Sequence, residues 1–407
     1  MNPRSVQIPF DIPGSPADGH FVFLNSNGSG SNYLAGGCEA ELLVEQGSPD
    51  ALIRIDKFVN EQKGKWILGY LSYDLRLAIE RLSNQCSPPY PHPWVHLFVP
   101  QWVIRYENGT GEAWGNDADA KIYAVPDIVA SNAVRPEARI SKEEYISRVS
   151  SLRSHIQRGD IYEVNFCQEF HSSSPKLDPW KLYQNLNSIS LAPMSVYASM
   201  GDLNIMSASP ERYMKKSGGR LISQPIKGTI RRGVGEDDEI QRSLLANSEK
   251  ERAENVMIVD LVRNDLSRVA KRGSVRVDEL FGIHTFKTVH HMISTVSCEP
   301  QEGISFSDVL RATFPMGSMT GAPKISAMNL IDTHEAVARG LYSGTFGYIA
   351  PNGDFDFNVL IRSYIWHQQD GYLSCHAGGA ITSLSDPHQE YDESMLKVDA
   401  LLRASVM

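Results

Sequence analysis

The sequence predicts an α+β fold with mostly antiparallel strand pairing. Three observations carry that prediction. Beyond residue 135, β segments (196–200, 203–207, 220–229, 342–350, 355–365 and 372–382) mix with helical ones (178–187, 239–263, 322–332 and 387–403). They lack the regular strand–helix alternation that a doubly wound parallel sheet requires. The composition, 42% hydrophobic and 21% charged over 407 residues, is that of a globular chain long enough for a large core. No internal repeat is visible, and no run of about 18 apolar residues that would span a membrane as a helix.

Along the chain, residues 1–35 read as loop at both ends. Pro3, Pro9, Pro13 and Pro16 break the first half, and Asn25 to Asn32 contains only Asn, Ser and Gly. Residues 66–73 and 94–106 read as strands rich in Trp, Tyr, Ile and Val, with Pro88, Pro89, Pro91 and Pro93 between them. A boundary falls at Arg135-Pro136. It divides residues 1–135 from 136–407, which are expected to form one intimate structural unit. Ser141-Lys142-Glu143-Glu144 then reads as a capping box. Tyr145, Val149, Leu152 and Ile156 keep helical spacing, Gly159 ends the helix, and a strand follows from Ile161 to Phe170.

The net charge of −9 argues against nucleic acid or an anionic membrane as partner, since both need a basic face. Met1-Asn2-Pro3-Arg4 lacks the apolar core of a signal peptide. Cys38, Cys86, Cys167, Cys298 and Cys375 are odd in number and without CxxC spacing, so free thiols in a reducing cytoplasm are expected.

Two helical segments carry paired glutamates. Glu251 and Glu254 lie three residues apart after Ser248, and Glu390 and Glu393 do the same after Asp386-Pro387. Asp386 suits a helix cap and Pro387 a first turn. Four carboxylates on two facing helices would hold a hard divalent cation. With no His or Cys beside them, Mg²⁺ is favoured over zinc or iron. The plain alternatives are a capping box from Ser248 to Glu251 and an ion pair from Glu393 to Lys397. Met257, Ile258 and Leu261 continue an apolar face behind Glu254, which argues that these carboxylates point inward.

At this point the chain resembles the chorismate-utilising enzymes, from about Ile140 to the C-terminus. The matching stretches are Gly159 to Asn165, Ser209-Pro210-Glu211, Pro225 to Thr229, Ala253-Glu254-Asn255 with Asp260 to Leu266, Thr320 to Lys324, and Glu390 to Glu393. The resemblance implies large mixed, mainly antiparallel β-sheets in a two-subdomain β-sandwich core with helices outside, an anthranilate-synthase-like fold. It implies Glu254 and Glu393 as principal Mg²⁺ ligands, with Glu251 and Glu390 beside them, and an ion that clamps the ring carboxylate of chorismate. Arg362 and Tyr342 match the groups that hold the enolpyruvyl carboxylate, and Gly378 a backbone donor nearby. His291 matches a histidine beside the ring, and Glu211 the general acid at the departing C4 hydroxyl. Gly228 and Thr229 match ring-carboxylate contacts, and Ser318 stands where relatives often have threonine. Two positions depart from the pattern. Ala377-Gly378-Gly379-Ala380 ends in alanine where relatives commonly have glycine. Glu163 stands where water-adding relatives carry a lysine base, which argues against isochorismate chemistry.

Lys227 separates the remaining members. Taken alone, a lysine between Pro225-Ile226 and Gly228 is most often a solvated turn residue. Anthranilate-forming relatives read Pro-Ile-Ala-Gly-Thr here, whereas those forming 4-amino-4-deoxychorismate read Pro-Ile-Lys-Gly-Thr. The resemblance therefore implies the second product, on the way to 4-aminobenzoate and folate. Anthranilate formation and a non-catalytic chorismate-binding paralogue are the alternatives. Lys227 is expected to attack C2 while Glu211 protonates the C4 hydroxyl, after which ammonia adds at C4 and expels the lysine. Such a lysine must be neutral, and desolvation with Arg231 or Arg232 nearby is expected to lower its pKa from about 10.4. No Gly-x-Cys-x-Gly glutaminase segment is present, so ammonia is expected from a separate glutaminase subunit. Asn187 to Met194 lacks the Asn-Pro-Ser-Pro-Tyr-Met pattern of tryptophan-inhibited relatives, so feedback inhibition by tryptophan is not expected.

Overall fold

The structure, a computed structural model, describes residues 4–7, 19–82, 85–115, 133–173 and 176–407. Two sheets, of twelve and ten strands, dominate it. Val22, Val196, Ile205 and Ile365 of the first sheet pack against Leu68, Tyr70, Phe98 and Phe346 of the second, so the two lie face to face as a sandwich. Helices cover the outer faces. Leu182, Leu186, Val398 and Leu401 pack on the first sheet, and Ile55, Ile258, Val262 and Leu310 on the second. Every strand pair among the described residues is antiparallel, so the parallel component of the expected mixed sheets is absent there.

Both sheets contain strands from either side of residue 135. In the first, Phe21–Asn25 pairs with Met194–Met200; in the second, Ile67–Leu71 pairs with Thr345–Ile349. Removing the N-terminal third would expose strand edges in both sheets.

Local signals place most elements. Ser141 caps helix Lys142–Arg158 by accepting from the Glu144 amide, and Gly159 ends it in the left-handed region at φ 84°. Asn25 to Asn32 is the hairpin loop between Phe21–Asn25 and Asn32–Gly36. Pro9, Pro13 and Pro16 lie outside the described residues.

Several expected elements divide. The strand expected over 94–106 is two, Val95–Val99 in the second sheet and Trp102–Glu107 in the first, with the crossing at Pro100. Likewise 355–365 splits into Phe355–Asn358 and Ser363–His367, one in each sheet. Pro225, which cannot donate to a ladder, divides 220–229 into Arg220–Gln224 and Ile226–Arg231. The expected helix 239–263 is two, Glu236–Ala246 and Glu249–Ser267, because Ser248 starts a new helix by accepting from the Glu251 amide. Helices Ala51–Glu61 and Phe306–Thr313 and the hairpin of Arg276–Thr285 with Val289–Cys298 have no counterpart in the sequence reading. Arg276–Thr285 lies at a sheet edge with no buried residue, so it lacks the apolar alternation that reveals a strand.

Candidate functional site

One end of the sandwich gathers strands from both sheets and two helices. Glu163–Ser173 and Tyr372–Ile381 come from the first sheet, and Ile226–Arg231 and Val289–Cys298 from the second. Helix Glu249–Ser267 packs on the latter pair and helix Pro387–Ala404 on Tyr372–Ile381. Asn255 fastens the first helix by accepting from Ser294 Oγ at 2.6 Å. Asp386 caps the second by accepting from the His388 and Gln389 amides, both at 3.0 Å.

Lys227 is buried here, not solvated. A β-bulge puts it there: Ile226 to Thr229 spans one residue more than the facing Ile293 to His291. Gly228 takes the left-handed φ of 80° that the bulge needs, and a Cβ on it would lie 3.1 Å from Glu251 Oε2. Lys227 Nζ donates to Glu163 Oε1 at 2.8 Å and lies 3.7 Å from Glu254 Oε2. Glu163 Oε2 is buried with no hydrogen-bond partner.

The expectation of a neutral Lys227 fails in this arrangement. Burial favours the neutral amine, but Glu163, Glu254 and Glu211 outweigh it and hold the ammonium well above the ordinary lysine range. The arginines invoked to lower it are elsewhere. Arg231 is exposed, and Arg232 pairs with Asp238 at 2.5 Å.

Glu211 is also buried, and its carboxyl is pushed up to about 7. Burial raises it; the Ser318 hydroxyl, which donates at 2.7 Å, and the charge of Lys227 oppose the rise. Near neutral pH it therefore carries a proton in part of the population.

Two of the four helical glutamates flank a cation supplied by the chain. Lys250 Nζ lies 4.0 Å from both Glu254 Oε1 and Glu393 Oε2, one on each helix. Burial works against its charge, but all four carboxylates favour it and together raise its pKa. Glu254 is pushed up to about 7 by burial and by Glu163 and Glu251, against the pull of Lys227. Glu390 is raised mainly by burial. Glu393 is half-buried yet lowered, because Lys397 pairs with it at 2.7 Å. Among the described residues, no three of these glutamates bring ligand oxygens within 4.8 Å of one another.

The other expected site residues line the same end. Thr229 and His291 face each other in register, with Thr229 Oγ1 2.8 Å from His291 Nδ1. Burial and the charge of Arg362 hold His291 down at about 4, so it is neutral at pH 7. Arg362 sits where the chain crosses between sheets, at a left-handed φ of 53°, and donates to the Lys397 carbonyl at 2.7 Å. Burial lowers its guanidinium pKa, opposed by Tyr342 and Glu393. Tyr342 stacks on His376 with ring centroids 4.9 Å apart. Gly378 is small for packing: a Cβ would lie 2.0 Å from the Phe166 carbonyl. Its carbonyl accepts from Lys397 Nζ at 3.0 Å. Ala380 is half-buried opposite Asn165.

Sequence reasoning missed Lys250, and it took Lys397 only as an ion-pair partner. The signal was available: each stands four residues from a glutamate of the cluster. Other motif stretches are scaffold. Lys324 pairs with Asp265 at 2.5 Å, joining two of them.

A family model of chorismate binding enzymes matches residues 19–403. The chain belongs to this family. The match includes the N-terminal strands, well beyond the stretch from Ile140 that the motifs marked. Aminodeoxychorismate synthase component 1 of Klebsiella aerogenes is 36% identical over 349 residues, covering 82% of this chain and 76% of that protein. Anthranilate synthase component 1 of Aquifex aeolicus is 31% identical over 376 residues, covering 83% and 74%. The crystal structure of anthranilate synthase component I from Streptococcus pneumoniae superposes with a TM-score of 0.80 at 24% identity, covering 96% of this chain and 94% of that one. The fold is shared with that enzyme. Among the described residues, no helix is long and apolar enough to cross a membrane.

Proposed function

We propose that this chain is component I of an aminodeoxychorismate synthase, converting chorismate and ammonia to 4-amino-4-deoxychorismate. The observation that carries the proposal is the buried Lys227 between Glu163 and Glu254, with its charge felt by Glu211. An anthranilate-type alanine at that position would have no amine to offer.

Glu254, Glu393, Glu251 and Glu390 fit a hard cation. Their donors are all oxygen, and a glutamate from each helix already flanks the ammonium of half-exposed Lys250, so a cation taking its place would draw the carboxylates inward. Mg²⁺ bound there would neutralise Glu254 and attract the ring carboxylate of chorismate. Arg362 and Tyr342 would hold the enolpyruvyl carboxylate, the guanidinium as a two-pronged donor. Neutral His291 would sit against the ring without adding charge, flanked by Gly228 and Thr229, with Gly378 nearby.

In the reaction, Glu163 accepts a proton from Lys227 across the 2.8 Å hydrogen bond. The freed amine attacks C2, the ring double bonds shift, and the C4 oxygen leaves as water with the proton of Glu211. Ammonia then adds at C4, the lysine departs from C2 and takes its proton back from Glu163, and the proton lost by the new C4 ammonium returns to Glu211, so the sum is chorismate plus ammonia to product plus water. The electrostatic hold on the Lys227 ammonium is the barrier to the first step. Neutralising Glu254 removes one of the carboxylates responsible.

The name "component 1" of the Klebsiella relative supports a separate glutaminase subunit as ammonia source. The five unpaired cysteines support a reducing compartment such as the cytoplasm. The test is incubation with chorismate, Mg²⁺ and an ammonium salt, the product identified by mass and ultraviolet spectrum. 4-Amino-4-deoxychorismate supports the reading. 2-Aminobenzoate would replace it with the anthranilate synthase reading that the Aquifex relative favours. Chorismate binding without turnover would make the chain a non-catalytic paralogue.

A further inference from the structure

Far along the chain from the glutamate helices, three side chains converge on one point. His20 directly precedes strand Phe21–Asn25 of the first sheet. Glu41 and His96 lie on the neighbouring strands Ala40–Val44 and Val95–Val99 of the second. Glu41 Oε1 is 2.6 Å from His20 Nε2 and 2.6 Å from His96 Nε2, and the two Nε2 atoms are 3.2 Å apart. Among the described residues, this is the group of His, Cys, Asp or Glu whose ligand atoms all fall within 4.8 Å. The His20 and His96 side chains are 12% and 6% exposed, and Glu41 is 34% exposed.

Protons satisfy this trio only at the cost of crowding, although Glu41 Oε1 has lone pairs for both rings. If both imidazoles donate to Glu41, two N–H groups crowd each other at 3.2 Å. If one imidazole turns its lone pair inward, that lone pair opposes a carboxylate oxygen at 2.6 Å. A cation at the centre uses all three lone pairs at once. Donors bound tetrahedrally at about 2.0–2.1 Å lie roughly 3.3–3.4 Å apart, close to the His20–His96 spacing. The Glu41 oxygen has only to draw back. Phe98 stacks edge-on against His20 at 4.8 Å and Tyr70 against His96 at 5.7 Å, which fixes both rings.

We propose that His20, Glu41 and His96 bind one zinc-class divalent ion that staples the first sheet to the second. Two imidazoles and one carboxylate are a borderline donor set, which selects Zn²⁺ over Mg²⁺. The all-oxygen glutamate cluster selects the reverse, so the two sites sort the two ions. Three protein ligands leave a fourth position for water on the exposed Glu41 side.

The experiment uses the tag-free full chain, stripped with chelator and dialysed against Zn²⁺ or Co²⁺. One equivalent of metal per chain is expected by elemental analysis, with a visible Co²⁺ absorption of low-symmetry nitrogen–oxygen coordination. Zn²⁺ is expected to raise the unfolding temperature. His20→Asn and Glu41→Gln should each lose the Co²⁺ band and the Zn²⁺-dependent shift while keeping the circular dichroism of the parent. His96→Gln should do the same if it folds, and the other two variants decide the matter if it does not. Metal binding that survives in His20→Asn and Glu41→Gln, or a parent chain that retains no Zn²⁺, would overturn the proposal and leave a hydrogen-bonded clamp.

Discussion

Two buried cation–carboxylate pairs in this molecule are alike in burial and differ in what surrounds them. Arg339 and Glu335 are joined at 2.6 Å, and each makes further hydrogen bonds. Arg339 donates further to the Met319 and Asn165 carbonyls at 2.7 and 2.9 Å, while Glu335 Oε1 accepts from the Cys167 amide at 3.1 Å. Lys227 and Glu163 are joined at 2.8 Å, but Glu163 Oε2 is buried without a partner and Glu254 crowds the same amine. The first pair is a finished piece of scaffold. The second has one buried amine facing two carboxylates, and the lesson is that an excess of carboxylates on one cation sets this pair apart from a one-to-one scaffold pair.

The contrast can be broken from either side. Lys227→Ala should abolish 4-amino-4-deoxychorismate formation from ammonia, measured by product mass, while the chain still folds and binds chorismate. Unchanged turnover would remove Lys227 from the chemistry. Glu211→Gln should lower kcat by about 10²–10⁴-fold, the usual worth of a general acid. Arg339→Met should leave activity per folded molecule intact but lower the unfolding free energy by about 3–5 kcal/mol, because it strands a buried carboxylate. Denaturant titration measures that difference. If Lys227→Ala proved the more destabilising of the two, the scaffold-versus-site distinction would collapse.

Acid–base behaviour sharpens the same contrast. Glu211 must be protonated to act, so kcat/KM should fall as pH rises through about 7. Ser318→Ala removes a hydrogen bond that favours the carboxylate, so that limb should move to higher pH. Stability follows the same sign: a carboxyl raised from 4.5 to about 7 on folding stabilises at low pH, and that contribution is lost as pH rises from 4.5 through 7. Glu211→Gln should flatten this part of the stability curve. The smallest effect belongs to Lys250→Met. Removing a half-exposed ammonium that competes for the glutamates should tighten Mg²⁺ binding several-fold at most, since such exposed pairs are worth about 0.2–1 kcal/mol. Calorimetric titration with Mg²⁺ reads it.

Much of this site was legible beforehand because its parts are local. The paired glutamates follow from helical spacing, Ser248 and Asp386 from capping, and the Lys227 segment from a short motif bounded by proline and glycine. The protonation of Lys227 was misjudged because it depends on Glu163 and Glu254, far off in the chain and brought close only by packing. Arg231 and Arg232 were near in sequence and irrelevant in space. The strands at 94–106 and 355–365 were read as single because apolar character runs through both halves. Nothing local records that the halves join different sheets.

The residues alone settle the α+β class, the family and the list of groups available for chemistry, since each rests on composition, periodicity or contiguous motif. Packing settles which of those groups share a charge. It gives Lys227 its excess of carboxylates and Glu211 its raised pKa, and it brings His20, just before a strand of the first sheet, onto one point with Glu41 and His96 on two strands of the second. Electrostatic and ligand interactions act over a few ångströms of space, and chain distance carries almost no information about them.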